Sequence, residues 1–490
     1  MKNKLVFILV LMTACKVIQP YRRAENAVPG GLYRDTLESS SAARMVDSAK
    51  TAAGDSVRWA SDSTRRARAL AASRPDTTTI ATLPWRTMFT DTLLQALIQQ
   101  GIDSNFDFRI AVARIKEAEA NFRQSRAAFL PSLGANAGAT FQKLPSGSQG
   151  NTQTYQAYLN SSWEVDLWGK LRSASRAELA SLLQSYAYRA AVQTQLVASI
   201  ASDYYALLAY DQELKITMET VKNRREDVHT TKDLMEGDVV TGAAVVQSQA
   251  GVFSVAVTIP DLRENIRETE NALCVLLARN PGPVTRDSLD DQKLVSDLPT
   301  GLPLQLLSNR PDVQEAELQL RNGAELVNVA RTYFYPALTI TAEGGVTNSN
   351  LSQLFNASSV FANIVGGLTQ PIFNNGLNRQ RLEVAKGVEE EYFYDFKEAL
   401  LNAGQEVSNA LYDYKAASDK IVIRSKEIYF LQKSVDYTKE LMKYDERTNY
   451  TDVLTSEQSL LAAQLSGVAD RLQQLQAVVT LYSSLGGGWR

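Results

Sequence analysis

Apolar residues follow a helical period over most of this chain, and the longest such stretches contain almost no proline. Between Asp91 and Pro131 the apolar positions recur three and four residues apart, which predicts helix up to the proline. Only Pro260 interrupts residues 170–280, and residues 377–490 contain no proline. An unbroken run of about sixty residues would be roughly 90 Å long. We therefore predict helices longer than the diameter of a compact domain.

The last helical stretch carries a heptad seam. Its apolar residues are separated alternately by four and three positions and are Leu461, Leu465, Val468, Leu472, Leu475, Val479 and Tyr482. A single amphipathic helix on a globular core is the simpler interpretation. A sustained period of 3.5 residues is more typical of coiled-coil contact, so we expect the long helices to pack against one another.

Four shorter segments alternate polar and apolar residues with a period of two, which predicts β-strands. The alternation is clearest in residues 155–167 and 338–347, and it is weaker in 133–141 and 360–368. Each segment is close to the roughly ten residues that cross a bilayer as a tilted strand.

The same arrangement occurs twice along the chain. Arg126–Leu133 and Arg331–Leu338 each end a helical stretch at a proline, and a predicted strand pair and new long helices follow in both places. This pattern predicts two structural repeats. The first predicted repeat covers residues 83–300 and contains the strand pair at 132–168. The second covers residues 301–490 and contains the strand pair at 337–373.

The first residues have the features of an export signal. Lys2 and Lys4 precede a short apolar run, and a small-residue pair stands directly before Cys15. We interpret 1–14 as a lipoprotein signal peptide and Cys15 as the acylated residue, the alternative being a secretory signal with an incidental cysteine. The polar stretch 15–82 is interpreted as the lipid anchor and a tether, and no later segment is expected to span a membrane as a helix.

Composition argues against several classes of function. The net charge of −3 lacks the basic excess that binding to nucleic acid requires. The single histidine, His229, has no histidine or cysteine near it in the sequence, so we expect it on the surface and predict no metal site and no cofactor. We expect Cys274 in a helical core. The absence of a histidine-paired nucleophile leads us to predict that the protein is not an enzyme.

Four strands beside a membrane imply an assembly. A soluble sandwich is the alternative, but export and acylation place the chain at a membrane, where an open sheet edge is not tolerated. Because the smallest membrane barrels have about eight strands, several chains must contribute to one barrel. The polar side of the strands, including Glu164, Asp166 and Glu343, would then line water, which describes a channel.

The residues from about Leu83 to the C-terminus resemble the TolC-like outer-membrane efflux proteins, in particular the lipoprotein branch that serves RND-type tripartite pumps. The matching stretches are Asn105–Arg114, Leu130–Gly134, Trp163–Gly169, Asn309–Val313, Pro371–Phe373 with Gly376, and Leu485–Trp489. The resemblance implies an α+β membrane protein of the cell outer membrane that forms a homotrimer. It further implies a shared twelve-stranded barrel, with four strands per chain, above a periplasmic coiled-coil barrel, which together form a passive exit duct for a periplasmic adaptor and an inner-membrane pump.

The resemblance also assigns roles to the two turns between paired helices. It implies that these tips contact the adaptor, and the candidate residues are Gly237, Asp238, Val239, Thr241, Thr448, Asn449 and Tyr450. It places a periplasmic gate at Asp452, with Arg447 and Tyr444 as further candidates. Three Asp452 carboxylates around an axis would attract cations and repel anions, although Asp452 could instead support only the helix N-terminus.

A second class of function is a structural coiled-coil lipoprotein without channel activity. Such a protein would explain the anchor and the heptads, but it would not need the four alternating strands. Strand content therefore distinguishes the two hypotheses.

Overall fold

The structure is a computed structural model that describes residues 17–22, 79–143, 152–293, 305–444 and 450–490. Its helices are α1 (Trp85–Met88), α2 (Thr92–Ser104), α3 (Phe106–Ala127), α4 (Lys170–Glu236), α5 (Gly242–Ala256), α6 (Thr258–Leu276), α7 (Leu306–Asn309), α8 (Pro311–Thr332), α9 (Leu377–Tyr444) and α10 (Tyr450–Ser484). Its strands are β1 (Ser132–Gln142), β2 (Thr152–Val165), β3 (Ala337–Asn348) and β4 (Val360–Thr369). Short 3₁₀ turns occupy Ile80–Thr82, Leu351–Gln353 and Ala357–Ser359.

The two longest helices confirm the prediction from the proline-free stretches. α4 has 67 residues and α9 has 68, which corresponds to roughly 100 Å each. Side-chain caps set where some helices begin. Asp91 accepts hydrogen bonds from the backbone N–H groups of Leu93 and Leu94 at the start of α2. Pro131 and Pro336 lie in the short connections to β1 and β3, where each helix has ended.

Two compact units make up the chain, and each draws on both predicted repeats. The first comprises Met1–Ala27, Val112–Ala187 and Gln314–Glu398, and the second comprises Val28–Ala111, Tyr188–Val313 and Ala399–Arg490. The boundary between the repeats remains a prediction.

The first unit contains one antiparallel sheet of four strands in the order β1-β2-β3-β4. All four predicted strands are present, at nearly the predicted bounds. In the described part of this chain, β1 and β4 each pair on one side only, so the sheet has two unpaired edges.

Four helical segments of the first unit lie in the same order as the strands to which they connect. α3 contacts α4, α4 contacts α8, and α8 contacts α9. The residues that make these contacts are Tyr186 with Glu119, Arg176 with Glu325, and Gly323 with Tyr392. Because α3 leads into β1, β2 into α4, α8 into β3 and β4 into α9, the helical layer continues the sheet.

The second unit has a core of apolar side chains around the buried Tyr204. Tyr204 is fully buried, donates a hydrogen bond to Oδ2 of Asp91 and accepts one from the N–H of Asp287. Burial, and then the hydrogen bond to Asp91, raise the pKa of the Tyr204 phenol well above its ordinary value. Other fully buried side chains are those of Leu94, Ile98, Ile200, Leu207, Leu208, Leu273 and Leu277.

A buried arginine links the C-terminus of the second unit to its middle. Arg310 bonds Asp312, the Glu406 carboxylate at 2.6 Å and the Ser484 carbonyl at 2.9 Å. Trp489 donates to the Asn309 carbonyl at 3.1 Å. The sequence stretches Asn309–Val313 and Leu485–Trp489 are therefore adjacent in space.

The heptad seam of α10 faces the interior of the second unit. Val468, Leu475, Val479 and Tyr482 are buried, and the three other members are half-buried. This confirms the predicted helix packing.

The prediction that no later segment could span a membrane as a helix is wrong by composition. The stretch Gly242–Leu276 is long and apolar enough, and it is the one such stretch among the described residues. Two of its valines, Val252 and Val255 of α5, are instead buried in a cluster with Val221 of α4.

Candidate functional site

One face of the sheet is polar. Asn160 of β2 lies opposite Glu343 of β3, which lies opposite Asn363 of β4. The Asn136 side chain donates a hydrogen bond to the Asn160 side chain at 2.7 Å. This row of amides and one carboxylate crosses all four strands, so it forms a hydrophilic surface that can line water.

The opposite face of the sheet is apolar and exposed. It carries Leu133, Leu159, Ile364 and Leu368, whose exposed fractions lie between 53% and 78%. A soluble sheet buries such a face, whereas the outside of a membrane barrel presents it to lipid. The alternation that predicted the strands therefore separates a hydrophilic surface from a lipophilic one.

Aromatic side chains lie toward both ends of the apolar face. Phe141 and Tyr155 form a T-shaped pair with ring centroids 5.9 Å apart near the β1–β2 connection. Trp163, near the other end of β2, donates its indole N–H to the Phe129 carbonyl at 2.9 Å. Aromatic girdles at the two water interfaces are typical of strands that cross an outer membrane.

Charged pairs lie where β2 meets α4. Lys170 pairs with Glu164 at 3.0 Å. Asp166 accepts hydrogen bonds from the backbone N–H groups of Leu171 and Arg172, at 3.1 Å each. The expectation that Asp166 belongs to the polar face of the strand is thus wrong, because β2 ends at Val165 and Asp166 caps α4 instead.

A cavity of about 360 Å³ lies beside these pairs in the first unit. The Arg381 guanidinium is 4.4 Å from the centroid of the Tyr333 ring, and the Lys170 ammonium is 5.2 Å from it. Trp168 packs on Tyr335 and donates to the Pro336 carbonyl. Charged and aromatic side chains therefore join the sheet to the helices at this junction.

The first predicted tip is a tight turn between α4 and α5. Asp238 has a φ of 59°, the N–H of Asp238 bonds the Met235 carbonyl at 3.1 Å, and the N–H of Val239 bonds the Leu234 carbonyl at 2.8 Å. These two bonds make a Schellman motif, in which the left-handed position normally favours glycine. Gly237, which the sequence offers for that position, lies one residue earlier. Asp238, Val239 and Thr241 are exposed.

The second predicted tip joins α9 to α10. Tyr444 is the last residue of α9 and Tyr450 the first of α10, while Arg447, Thr448 and Asn449 lie outside the described residues. Asp452 is exposed in the first turn of α10.

The two tips meet in a small apolar cluster. Met442, Val453 and Leu454 are buried together, with Leu234 and Ala244 packed against them. Within the Asp452-Val453-Leu454 segment, the aspartate is therefore exposed, whereas the two apolar residues pack α10 against the first tip.

Next to this cluster lies an ion network that the sequence analysis missed. We call Arg224 and Asp227 of α4, Lys439 of α9 and Glu457 of α10 the tip network. Lys439 is 2.8 Å from Asp227 and 2.7 Å from Glu457, and Arg224 Nε lies 3.7 Å from Glu457. Arg224 also donates to the Gly251 carbonyl of α5 at 2.9 Å.

The tip network joins the two helix pairs through opposite charges that are largely removed from water. Glu457 is buried, and burial together with the neighbouring Asp227 raises its pKa, although Lys439 opposes this. Burial lowers the pKa of Lys439, but its bonds to Asp227 and Glu457 outweigh burial and raise it overall. No sequence signal marks these residues, since isolated charges on long helices are usually solvated.

The remaining predictions concern single residues. His229 is exposed and Cys274 is fully buried, as expected. Cys15 lies outside the described residues. Within the described ranges, histidine, cysteine and acidic side chains form no group of three that could hold a metal ion.

Comparison with known proteins decides the family. The profile of the family described as "Outer membrane efflux protein" matches residues 97–279 and 302–487. The chain belongs to the outer membrane efflux protein family. This family consists of efflux channels rather than enzymes, and this member is an outer-membrane efflux channel with a TolC-like fold.

Individual relatives agree with the family assignment. The cation efflux system protein CusC of Escherichia coli O6:H1 is 30% identical over 416 residues, which cover 83% of this chain and 88% of CusC. The probable outer membrane lipoprotein SilC of Salmonella typhimurium is 29% identical, with 83% and 88% of the two chains covered. A crystal structure of CusC superposes with a TM-score of 0.78 at 27% identity, over 85% of this chain and 98% of that one.

Proposed function

We propose that three copies of this chain close one barrel in the outer membrane and form the passive exit duct of a tripartite efflux system. The observation that carries the proposal is the sheet with two unpaired edges and one exposed apolar face. In lipid, each edge needs a partner, and the edges β1 and β4 of neighbouring copies can supply it.

The number of copies follows from the width of the duct. Two copies would give a barrel of about eight strands, whose interior is just wide enough for side chains to fill. Three copies would give about twelve strands and leave an aqueous lumen lined by the polar row through Asn160 and Glu343.

We further infer that the helical tips receive a periplasmic adaptor that links the duct to an inner-membrane pump of the RND type. The exposed residues Asp238, Val239 and Thr241 are the candidate contacts on the first tip. On the second tip, Thr448, Asn449 and Tyr450 are the candidates. The pump supplies the energy for transport, and the duct supplies the path across the outer membrane lipid.

An acidic ring at the second tip is the proposed gate. Asp452 is exposed near the start of α10, and three copies around an axis would concentrate negative potential there. Tyr444 and Arg447 remain candidates for the same gate.

Acylation of Cys15 is the proposed anchor. The small-residue pair before Cys15 fits a lipoprotein signal, and the relative SilC carries the name of an outer membrane lipoprotein. The relative CusC is a cation efflux system protein, but the polar row of the sheet does not select one cargo.

The test is the mass of the detergent-extracted protein from outer membranes, measured by light scattering with correction for bound detergent. We expect three times the processed chain, together with ion conductance in planar bilayers. A stable monomer without conductance would mean that the strand edges are satisfied in another way. It would favour a structural coiled-coil lipoprotein over a duct.

A further inference from the structure

The short N-terminal segment 17–22 is held by a buried side chain of α8. The N–H of Gln19 donates to Oδ1 of Asn328 at 3.0 Å, and Nδ2 of Asn328 donates to the Gln19 carbonyl at 2.8 Å. Asn328 is 1% exposed. One carboxamide therefore binds both backbone groups of a single residue, as a neighbouring β-strand would.

The rest of the Asn328 carboxamide is also engaged. Arg331 donates to Oδ1 at 3.2 Å, and Nδ2 lies 3.3 Å from Oε2 of Glu325. A polar side chain buried on a helix costs free energy unless it is hydrogen-bonded. Here the bonds to Gln19 are the two shortest of the four, so the N-terminal segment offsets a large part of that cost.

A glycine completes the contact. The Ile18 side chain packs directly against Gly169, where a Cβ atom would overlap the Ile18 Cδ1. Gly169 also has a φ of 81°, which favours glycine. Gly169, directly before α4, thus permits both the left-handed backbone turn into the helix and the contact with Ile18.

We propose that Asn328 and Gly169 form a tether dock, which fixes where the acyl chains of Cys15 enter the membrane. This rests on the proposed acylation of Cys15. Gln19 stands four positions after Cys15, so an extended chain between them reaches at most about 14 Å. Gly169 follows the end of β2 by four residues. The anchor therefore enters the bilayer beside the periplasmic end of the sheet of its own protomer.

The tether dock has a consequence for assembly. An acyl chain on a free tether restrains only the distance of the protein from the membrane, whereas a docked tether also restrains its orientation. A protomer held in this way presents β1 and β4 at the membrane before its neighbours arrive. Docking thus raises the effective concentration of correctly oriented edges.

The first experiment measures docking itself, by trypsin cleavage after Arg22 in the purified trimer. Cleavage requires release of the segment, so its rate follows the undocked population. Asn328→Ala removes both hydrogen bonds and should raise the rate roughly 30-fold, and Gln19→Pro removes one and should raise it roughly fivefold. Gln19→Ala keeps both backbone bonds, so it isolates the effect of the lost N–H.

Asn322→Ala is the matched control on α8. Asn322 bonds Ala177 and Ser181 of α4 and has no bond to the N-terminal segment. Cleavage that is equally fast in Asn328→Ala and in the protein without the substitution would overturn the dock. Cleavage raised equally by Asn322→Ala would do the same, because it would point to general loosening of α8.

The second experiment asks whether docking acts through the anchor. The heat-resistant trimer fraction is measured for Asn328→Ala, Cys15→Ala and the double variant, with acylation checked by the mass of the N-terminal peptide. We expect each single variant to lower the fraction similarly, and the double variant to lower it no further. Losses that multiply in the double variant would overturn the role in anchoring. An unacylated Cys15 in the natural chain would refute the anchor, while the cleavage result would still decide the dock.

Discussion

Lys439 of α9 donates hydrogen bonds to both carboxylate oxygens of Asp227 on α4, at 2.8 and 3.0 Å. The same ammonium lies 2.7 Å from Oε1 of Glu457 on α10. One lysine therefore connects three helices a short distance from both tips. Arg224 extends the tip network to α5 through the Gly251 carbonyl. All four helices that form the tips are joined by charges rather than by apolar contact alone.

Removal of this lysine should loosen the tips. Lys439→Met leaves the Asp227 and Glu457 carboxylates close together, with Arg224 as the remaining cation of the tip network. Loss of one partner of a buried pair costs about 3–5 kcal/mol, and since Lys439 is one-third exposed we expect about 2 kcal/mol. Hydrogen exchange at the start of α10 should then accelerate roughly 30-fold.

Lys426→Met is the control for this variant, because Lys426 is an exposed lysine on the same helix. We expect it to leave the exchange rate within twofold of the unmodified protein. Equal effects of the two substitutions would show that the tip network contributes nothing specific.

The pH dependence of the tips should follow Glu457. Its pKa in the folded protein is raised from the ordinary 4.5, chiefly by burial. The folded state therefore binds this proton more tightly than the unfolded state does, and its contribution makes stability fall as pH rises between 4.5 and the raised value. The measurement is a series of hydrogen-exchange experiments at several pH values, from which the free energy of opening is obtained at each pH. Glu457→Gln removes this titration, so in the variant the series should show a weaker dependence of that free energy on pH. A steeper series in the variant would contradict the assignment.

The strands and long helices could be predicted because each rests on a repeated local pattern. A period of two over 338–347 can only be satisfied by a strand with two unlike faces, and β3 has those faces. The tip network could not be predicted, because Arg224 and Glu457 are 233 residues apart (457 − 224) and neither stands in a recognisable motif. Asp166 was misassigned because a capping aspartate and the next polar residue of a strand look identical in sequence.

The left-handed residue at the first tip offers a stabilising substitution. Asp238 has a φ of 59°, which costs a non-glycine residue about 1 kcal/mol. Asp238→Gly should slow hydrogen exchange at the tip severalfold. Asp233→Gly, inside α4, should accelerate it by a similar factor, because glycine in a helix interior costs about 1 kcal/mol. Changes in the same direction for both would rule out this explanation.

The gate proposal predicts a change of conductance. Asp452→Asn removes the negative charge from each copy, so single-channel conductance should rise or lose its sensitivity to added divalent cations. If Asp452 only supports the N-terminus of α10, conductance should be unchanged and the first turn should lose about 0.3–1 kcal/mol of stability. Asp233→Asn, near the other tip, controls for a general change of surface charge.

Two adjacent residues of β2 provide the sharpest test of the barrel. Leu159 lies on the apolar face and Asn160 on the polar face, and both are near the middle of the strand. A lysine that faces lipid at the midplane costs about 2–4 kcal/mol, whereas a lysine that faces water costs little. Leu159→Lys should therefore reduce heat-resistant trimer in the outer membrane at least tenfold.

Asn160→Lys should assemble normally and shift ion selectivity toward anions, since it adds a positive charge to the lumen. The same residue type thus gives opposite outcomes at neighbouring positions. A soluble sheet would not produce this contrast, because neither face would meet lipid. Normal assembly of Leu159→Lys, or failure of Asn160→Lys alone, would mean that the faces of the sheet have been assigned the wrong way round.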